Sequence, residues 1–157
     1  MMYVSDLHTG DLLYWKGKGF LPWLVRTWTR SPYAHVAVYL ANGAGGAYYD
    51  AQPGKGVEAL PFGDDPPQFA QVTHCGWSGL VHDQVNALVG RPYSYWTGIA
   101  TTLGIAGRGT SAFICSELAM QILSYCGWDF KGKHYTPAGL AAAVTRANGN
   151  AVEGLSL

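Results

Sequence analysis

Three strand-forming segments, separated by two short turns, constrain the fold of this chain more than any other feature. The segment His35–Leu40 consists of β-branched, aromatic and aliphatic residues after its first position, and it ends at the glycine-rich residues 41–46. The second segment, Ala47–Ala51, is followed by the turn 53–56 and then by the third segment, Val57–Phe62. Short turns between consecutive strands make them antiparallel neighbours. We therefore predict a three-stranded β-meander.

Hydrophobic spacing predicts two more strands and four helices outside the meander. One strand begins near Asp11 and the other covers Ala70–His74. One helix covers Phe20–Thr29, one begins after its N-cap Ser78, and two more cover Ser111–Tyr125 and Ala138–Ala147. The helix that ends at Tyr125 has the clearest pattern, because apolar residues recur every three to four positions without Gly or Pro. Residues 93–110 have no clean period, and we expect an ordered aromatic loop there. Together these elements predict an α+β fold.

The length of 157 residues predicts one domain, 1–157. We expect a loose tail from about residue 148, where the sequence Asn-Gly-Asn follows the last helix. The ten Lys and Arg residues balance ten Asp and Glu residues, so the positive field that binds nucleic acid is missing and we predict no nucleic-acid partner. The chain contains no apolar run of the roughly 20 residues that a membrane helix needs, and we expect no integral membrane segment.

The N-terminal segment Met1–Asp6 lacks a basic start followed by an apolar stretch, and we expect no signal peptide. The protein would then be cytoplasmic as made. A role in the periplasm or at the cell wall would require delivery by a phage particle or a secretion system.

The three cysteines, Cys75, Cys115 and Cys126, match neither a disulfide framework nor paired zinc ligands, and their odd number predicts at least one free thiol. Cys115 lies in the first turn of its predicted helix, where unpaired backbone N–H groups and the helix dipole favour a thiolate. The same amides can stabilise an oxyanion, and Ser116 in this turn is a candidate for oxyanion or substrate binding. Cys75 and Cys126 are interpreted as bystanders.

His35 is distinctive among the five histidines because it begins an otherwise apolar strand. Pairing that strand with the next one brings Asp50 or its neighbours opposite His35, and a carboxylate there would orient the imidazole and stabilise its cation. Gln52 is a second candidate for this orienting role and also a candidate for oxyanion or substrate binding. The alternative is a structural histidine beside an ordinary turn-flanking aspartate. The other four histidines are interpreted as solvated: His8, His74, His82 and His134.

A metal site built from His74, Cys75 and His82 would lack a fourth ligand, so we predict no metal and no cofactor.

Four motifs resemble the NlpC-type papain-like cysteine peptidases: His35–Leu40, Tyr48–Ala51 with Gly54–Val57, Gly90–Tyr93 and Phe113–Leu118. The histidine strand precedes the cysteine helix, which is the order of the circularly permuted branch that contains YiiX-like and lecithin:retinol acyltransferase-like proteins. With Gly10-Asp11-Leu12 and Thr136-Pro137 the resemblance covers about residues 8–143. It implies a permuted papain-like fold in which a β-meander or partial barrel packs against the helix bearing the cysteine.

The resemblance implies a nucleophile at Cys115, a base at His35 and a third polar residue at Asp50. Tyr93 matches a tyrosine that lines the site near the oxyanion, although a buried structural tyrosine is an alternative. Where the ordinary family has an acidic residue before the cysteine this chain has Ile114, and Glu117 replaces a glycine, which makes the substrate harder to infer.

The resemblance implies a cysteine hydrolase that cleaves an amide bond through an acyl-enzyme intermediate, with a peptidoglycan stem peptide as the expected substrate of an endopeptidase or amidase. One alternative is a lipid-directed thiol acyltransferase or thioesterase, in which the aromatic loop 93–106 would form the acyl groove. A second alternative is a non-catalytic binding module on the same fold.

Overall fold

Seven strands in one sheet and three α-helices make up the fold of the described residues. The structure is a computed structural model and describes residues 1–18, 26–27, 30–41, 46–63, 65–94, 114–131, 133 and 135–156. The strands are β1 (Met2–Tyr3), β2 (Leu12–Trp15), β3 (His35–Leu40), β4 (Ala47–Gln52), β5 (Gly56–Pro61), β6 (Phe69–Gln71) and β7 (Glu153–Ser156). The helices are α1 (Gly79–Asn86), α2 (Cys115–Tyr125) and α3 (Pro137–Asn148), and Val4–Asp6 forms a 3₁₀ turn. The predicted α+β class is confirmed.

The sheet has the strand order β1-β7-β6-β2-β3-β4-β5. The neighbours from β7 to β5 are antiparallel, and β1 pairs with β7 in parallel. The predicted meander is confirmed as β3-β4-β5, because each short turn returns the chain beside the strand that it has just left.

The two faces of the sheet carry separate apolar clusters, as the alternation of side chains along a strand requires. On one face, Leu12, Tyr14, Val36 and Val38 join the main core with the buried side chains of the helices. On the other face, Leu13, Trp15, Ala37, Tyr39 and Ala70 form a smaller cluster with Leu7. Because β2 and β3 are almost fully buried, their positions are held from both sides.

Helix α2 packs against β3 and β4 and lies next to α1 and α3. Its buried stripe contains Leu118, Ile122 and Leu123, which follow the predicted helical spacing. Leu140 and Val144 of α3 complete the same core. The first residue of α2 is therefore held beside the meander by a core that extends along the whole helix.

The expectation of a loose tail from about residue 148 is wrong for Glu153–Ser156, which forms β7 between β1 and β6. Polar side chains hold this end of the chain. Asn148 and Asn150 donate hydrogen bonds from Nδ2 to the Val72 carbonyl oxygen, at 3.0 and 3.2 Å. The fully buried Gln71 donates to the Asn150 carbonyl oxygen at 2.8 Å. The Asn-Gly-Asn segment thus ends α3 and anchors the following strand.

Two predicted elements lie largely outside the described residues. Of the helix predicted over Phe20–Thr29, Arg26 and Thr27 are described, and both are helical. Of the aromatic loop predicted over 93–110, the first two residues are described.

Candidate active site

His35 is the first residue of β3, a strand that lies between β2 and β4 in the sheet. In the β2–β3 register it lies opposite Trp15, and the two rings are tilted with their centroids 5.6 Å apart. The Nε1 of Trp15 donates to the Asp65 carbonyl oxygen at 2.8 Å, which fixes the indole ring. The His35 side chain retains 28% of its exposure, so its ring is held by neighbours and still meets solvent.

Asp50 lies on β4 and forms an ion-pair contact with His35. Its Oδ1 is 2.8 Å from the His35 Nε2, and the side chain is 1% exposed. Val38 pairs with Tyr49 in the β3–β4 register. Continuing that register places Asp50 diagonally from His35 on the same face of the sheet. A buried carboxylate at this position can hold the imidazole in one orientation.

Gln52 supports the carboxylate rather than the imidazole. Its Nε2 donates to the Asp50 Oδ2 at 2.9 Å, so the two carboxylate oxygens have different partners. The two residues share a face because they are two positions apart on one strand. This spacing is the signal from which the contact could have been found in the sequence.

Cys115 is the first residue of α2 and carries a partly exposed free thiol. The residue before it, Ile114, is the N-cap and has no side-chain acceptor for the amides of the first turn. The other two helices differ: the Oγ of Ser78 accepts from Val81 N at 3.3 Å in α1, and the Oγ1 of Thr136 accepts from Gly139 N at 3.1 Å in α3. Among the three described helices, α2 therefore begins at a residue that cannot cap it.

The imidazole of His35 interacts with the Cys115 side chain as well as with Asp50. Burial of the ring lowers its pKa, but the Asp50 carboxylate 2.8 Å away and the Cys115 side chain raise the pKa of His35 well above its ordinary value of 6.5. Because Nε2 faces the carboxylate, Nδ1 is the ring nitrogen left for the sulfur. The ring thus lies between a buried carboxylate and the Cys115 side chain, and both neighbours favour its protonated form.

The two other predicted site residues are Ser116, which follows Cys115 in α2, and Tyr93. Ser116 is fully buried in the first turn of α2, and its Oγ has no hydrogen-bond partner among the described residues. Tyr93 is half-buried and packs against the main core cluster, as Cys115 does.

Two glycine motifs that carry the resemblance meet in the structure and hold the segment leading to Tyr93. The N–H of Val57 donates to the Arg91 carbonyl oxygen, and the N–H of Gly90 donates to the Val57 carbonyl oxygen, both at 2.8 Å. Gly56 has a φ of +84°, and a Cβ at this position would collide with the Arg91 carbonyl oxygen. Glycine is required there by both backbone conformation and space.

The prediction that the cysteines form no disulfide framework is wrong for two of them. Cys75 and Cys126 form a disulfide with a Cα–Cα distance of 5.3 Å, joining the segment after β6 to the C-cap of α2. Their spacing of 51 residues carries no local signal, because only the packing of α2 against the sheet brings them together. The expectation of at least one free thiol is confirmed by Cys115.

The described residues contain no group of three or more His, Cys, Asp or Glu side chains that could hold a metal ion. Cys75 is committed to the disulfide, and the ring of His74 lies 2.9 Å from the Nδ2 of Asn150. Phe113, His134 and most of the proposed acyl groove at 93–106 lie outside the described residues.

A search of protein families and of curated proteins found no match to the chain. Within the described residues no helix has both the length and the apolar character needed to cross a membrane.

Proposed function

We propose that this chain is a cysteine hydrolase in which Cys115 is the nucleophile, His35 the acid and base, and Asp50 the residue that orients His35. The observation that carries the proposal is the contact series from the thiol through the imidazole to a buried carboxylate. The three residues come from α2, β3 and β4, so a purely structural origin would require three separate elements to converge without a chemical role. Convergence of a nucleophile, a base and an orienting group is the general signature of covalent catalysis.

In the proposed reaction, the Cys115 thiolate attacks the carbonyl carbon of an amide and forms a tetrahedral intermediate. The backbone N–H groups at the start of α2 stabilise its oxyanion, since Ile114 offers them no competing side-chain acceptor. The His35 imidazolium then donates its proton to the leaving amine, which leaves an acyl-enzyme. His35 next takes a proton from water, the hydroxide attacks the thioester, and the thiolate and imidazolium return.

The substrate that we propose is a stem peptide of peptidoglycan, and the fold is the circularly permuted NlpC-type papain-like fold. The meander followed by the helix bearing Cys115 has the element order that the resemblance requires. The disulfide between Cys75 and Cys126 favours action in an oxidising compartment. This agrees with delivery to the periplasm or cell wall by a phage particle or a secretion system.

Digestion of purified peptidoglycan, followed by mass spectrometry of the soluble products, tests this proposal. We expect wild-type protein to release fragments that differ from the controls by hydrolysis of one amide bond. Cys115→Ala should release none, and His35→Ala should be slower by about 10²- to 10⁴-fold. The matched control is Ser124→Ala, an exposed position near the other end of the same helix, which should retain full activity.

A second measurement separates the alternatives. Iodoacetamide should label Cys115 faster than free cysteine at pH 6, and His35→Ala should lose this advantage. If Cys115 is labelled fast and acylated by lipid esters but peptidoglycan is not cleaved, the results would favour a lipid-directed acyltransferase over a peptidase. Labelling no faster than free cysteine, in both wild type and His35→Ala, would reject catalysis and leave a binding module.

A further inference from the structure

A second candidate binding site lies at the opposite end of α2 from Cys115. A cleft of about 240 Å³ is formed by the segment that follows α2 and by the C-terminal half of α3. The eleven residues of α2 span about 16 Å at the usual rise per residue. The N–H of Trp128, in the cleft, donates to the Leu123 carbonyl oxygen in the last turn of α2, so this side of the cleft lies about one helix length from Cys115. None of the proposed catalytic residues lines the cleft.

Aromatic rings form one part of the cleft. Trp128 and Phe130 are stacked with centroids 6.0 Å apart and an interplanar angle of 18°, and Tyr135 meets Phe130 edge-on at 6.1 Å. All three side chains are only half-buried, although they pack against the main core. They give the cleft an apolar, partly accessible aromatic group, which suits the apolar face of a ring-shaped ligand.

Three basic residues line the same cleft. Lys131, Lys133 and Arg146 are all exposed, and within the described part of the chain none of them forms an ion pair. The chain as a whole has no net charge, yet three of its ten Lys and Arg residues are concentrated here, with no acidic partner at ion-pair distance among the described residues. Such a group attracts a carboxylate or a phosphate.

One acidic residue in the cleft narrows the class of ligand. Asp129 accepts the backbone N–H of Lys131 at its Oδ1, at 2.8 Å, and its second oxygen can accept a hydroxyl group. A bare anion would be repelled by this carboxylate and would not use it. A ligand with hydroxyl groups, an apolar ring face and a negative charge matches the aromatic, basic and acidic side chains of the cleft.

The shape of the surface favours a discrete ligand over a membrane. The large apolar residues that the structure exposes most in its described part are Met1, Tyr3, Leu80 and Val89, and none of them lines the cleft. A membrane-binding surface needs protruding apolar side chains beside its cations, whereas these aromatic rings are recessed.

We propose that the cleft binds an acidic saccharide, with the sugar ring against the Trp128–Phe130 aromatic stack, its carboxylate or phosphate on the three basic residues, and a hydroxyl on Asp129. The site goes beyond the proposed hydrolase activity, because it requires no covalent step and can be tested without one. If both proposals hold, one molecule would bind a glycan chain and cleave a peptide about one helix length away.

Isothermal titration calorimetry with tetragalacturonic acid tests the proposal, since this acidic saccharide contains no amide bond to hydrolyse. We expect saturable binding that weakens with added salt, and binding of neutral maltotetraose at least tenfold weaker. The triple variant Lys131→Gln, Lys133→Gln and Arg146→Gln should lose at least tenfold in affinity. A control triple variant removes three exposed basic residues elsewhere, Lys18→Gln, Lys55→Gln and Arg91→Gln, and should change affinity by less than about twofold.

Several results would overturn the assignment. Equal affinity in the cleft variant and the control variant would place the saccharide elsewhere. Inorganic phosphate that binds as tightly as the saccharide would reduce the cleft to a simple anion site. Binding to phosphatidylglycerol vesicles but not to the saccharide would make it a membrane contact. None of these outcomes would affect the peptidoglycan assay of Cys115.

Discussion

At the scale of single residues, the protonation of His35 is set by two neighbours that act in the same direction. Asp50 and the sulfur of Cys115 both favour the imidazolium, and together they outweigh the effect of burial. The sulfur ionises as part of the proposed chemistry, whereas the Asp50 contact at 2.8 Å is a permanent part of the fold. Substitution of Asp50 is therefore the way to change the pH range of the proposed activity.

We predict that Asp50→Asn moves the alkaline limb of the kcat/KM profile to lower pH. In the wild type the raised pKa of His35 keeps the imidazolium protonated well above pH 6.5, so activity falls only when the pH passes that raised value. Removing the charge of the Asp50 carboxylate takes away an interaction that raises the pKa of His35, so burial of the ring lowers this pKa further. The measurement is the pH dependence of peptidoglycan hydrolysis, with Asp83→Asn, at an exposed position on α1, as a control. An alkaline limb that stays in place in Asp50→Asn would exclude Asp50 as the orienting residue.

We also predict that Gly56→Ala destabilises the fold more than Gly90→Ala does. The two glycines have similar positive φ values, +84° and +85°, so the backbone strain should be comparable, at about 1–2 kcal/mol. A Cβ at Gly90 meets nothing within 4 Å, whereas one at Gly56 collides with the Arg91 carbonyl oxygen and adds about 1–3 kcal/mol. Urea unfolding of both variants checks this, and equal losses would show that the close approach is unimportant.

At the scale of elements, helix α2 is fastened at both ends by different means. At one end, the side chain of Cys115 interacts with His35 of β3. At the other end, the C-cap residue Cys126 is joined by the disulfide to Cys75, in the segment after β6. Between them, the buried stripe holds the helix against β3 and β4. The disulfide therefore limits movement of the element that carries the proposed nucleophile.

Reduction of the disulfide between Cys75 and Cys126 should lower the free energy of unfolding. The bond closes a loop of 51 residues, for which loop-closure entropy gives about 4 kcal/mol, and this corresponds to a fall in Tm on the order of 10 °C. Calorimetry with and without a reductant measures the change. In the variant that carries both Cys75→Ala and Cys126→Ala, the reductant should have no effect. An unchanged wild-type Tm on reduction would show that the bond does not form.

At the scale of the whole molecule, one buried side chain connects parts of the fold that are far apart in sequence. The Oε1 of Gln71 accepts from the Tyr14 hydroxyl of β2 at 2.8 Å. Its Nε2 is 3.0 Å from both the Ala141 carbonyl oxygen and the Thr145 Oγ1 of α3, in addition to its contact with the tail. This one amide thus bonds to the last helix and to the segment before the last strand, in addition to the pairing of β7 with β6.

We predict that Gln71→Leu costs about 2–4 kcal/mol, because it leaves the buried Tyr14 hydroxyl and the Asn150 carbonyl oxygen without this partner. Hydrogen exchange should accelerate at β7 more than at β3, since the tail loses its direct contact. Gln84→Leu, at an exposed position on α1, is the matched control and should leave both unchanged. Uniform acceleration across the sheet would contradict a local anchoring role.

Much of the candidate site could be predicted because its signals are local. The clean period of α2, the position of Cys115 at the helix start and the strand that begins at His35 each depend on a few consecutive residues. Short turns also predicted the β3–β4 pairing, and with it the approach of Asp50 to His35. The role of Gln52 was harder to predict. Its position opposite His35 on the neighbouring strand suggested a contact with the imidazole, but its side-chain amide donates to the carboxylate of Asp50.

The amino-acid sequence by itself determined the helices, the meander and the residue types that make a thiol, an imidazole and a carboxylate available, since these follow from side-chain spacing and turn chemistry. Only the tertiary structure decided that Cys115 meets a ring 80 positions earlier, that the other two cysteines pair, and that the tail adds a strand. It also decided that aromatic and basic residues around α3 share one cleft. The physical reason is that contacts between distant segments depend on how helices and strands pack, and no local pattern encodes that packing.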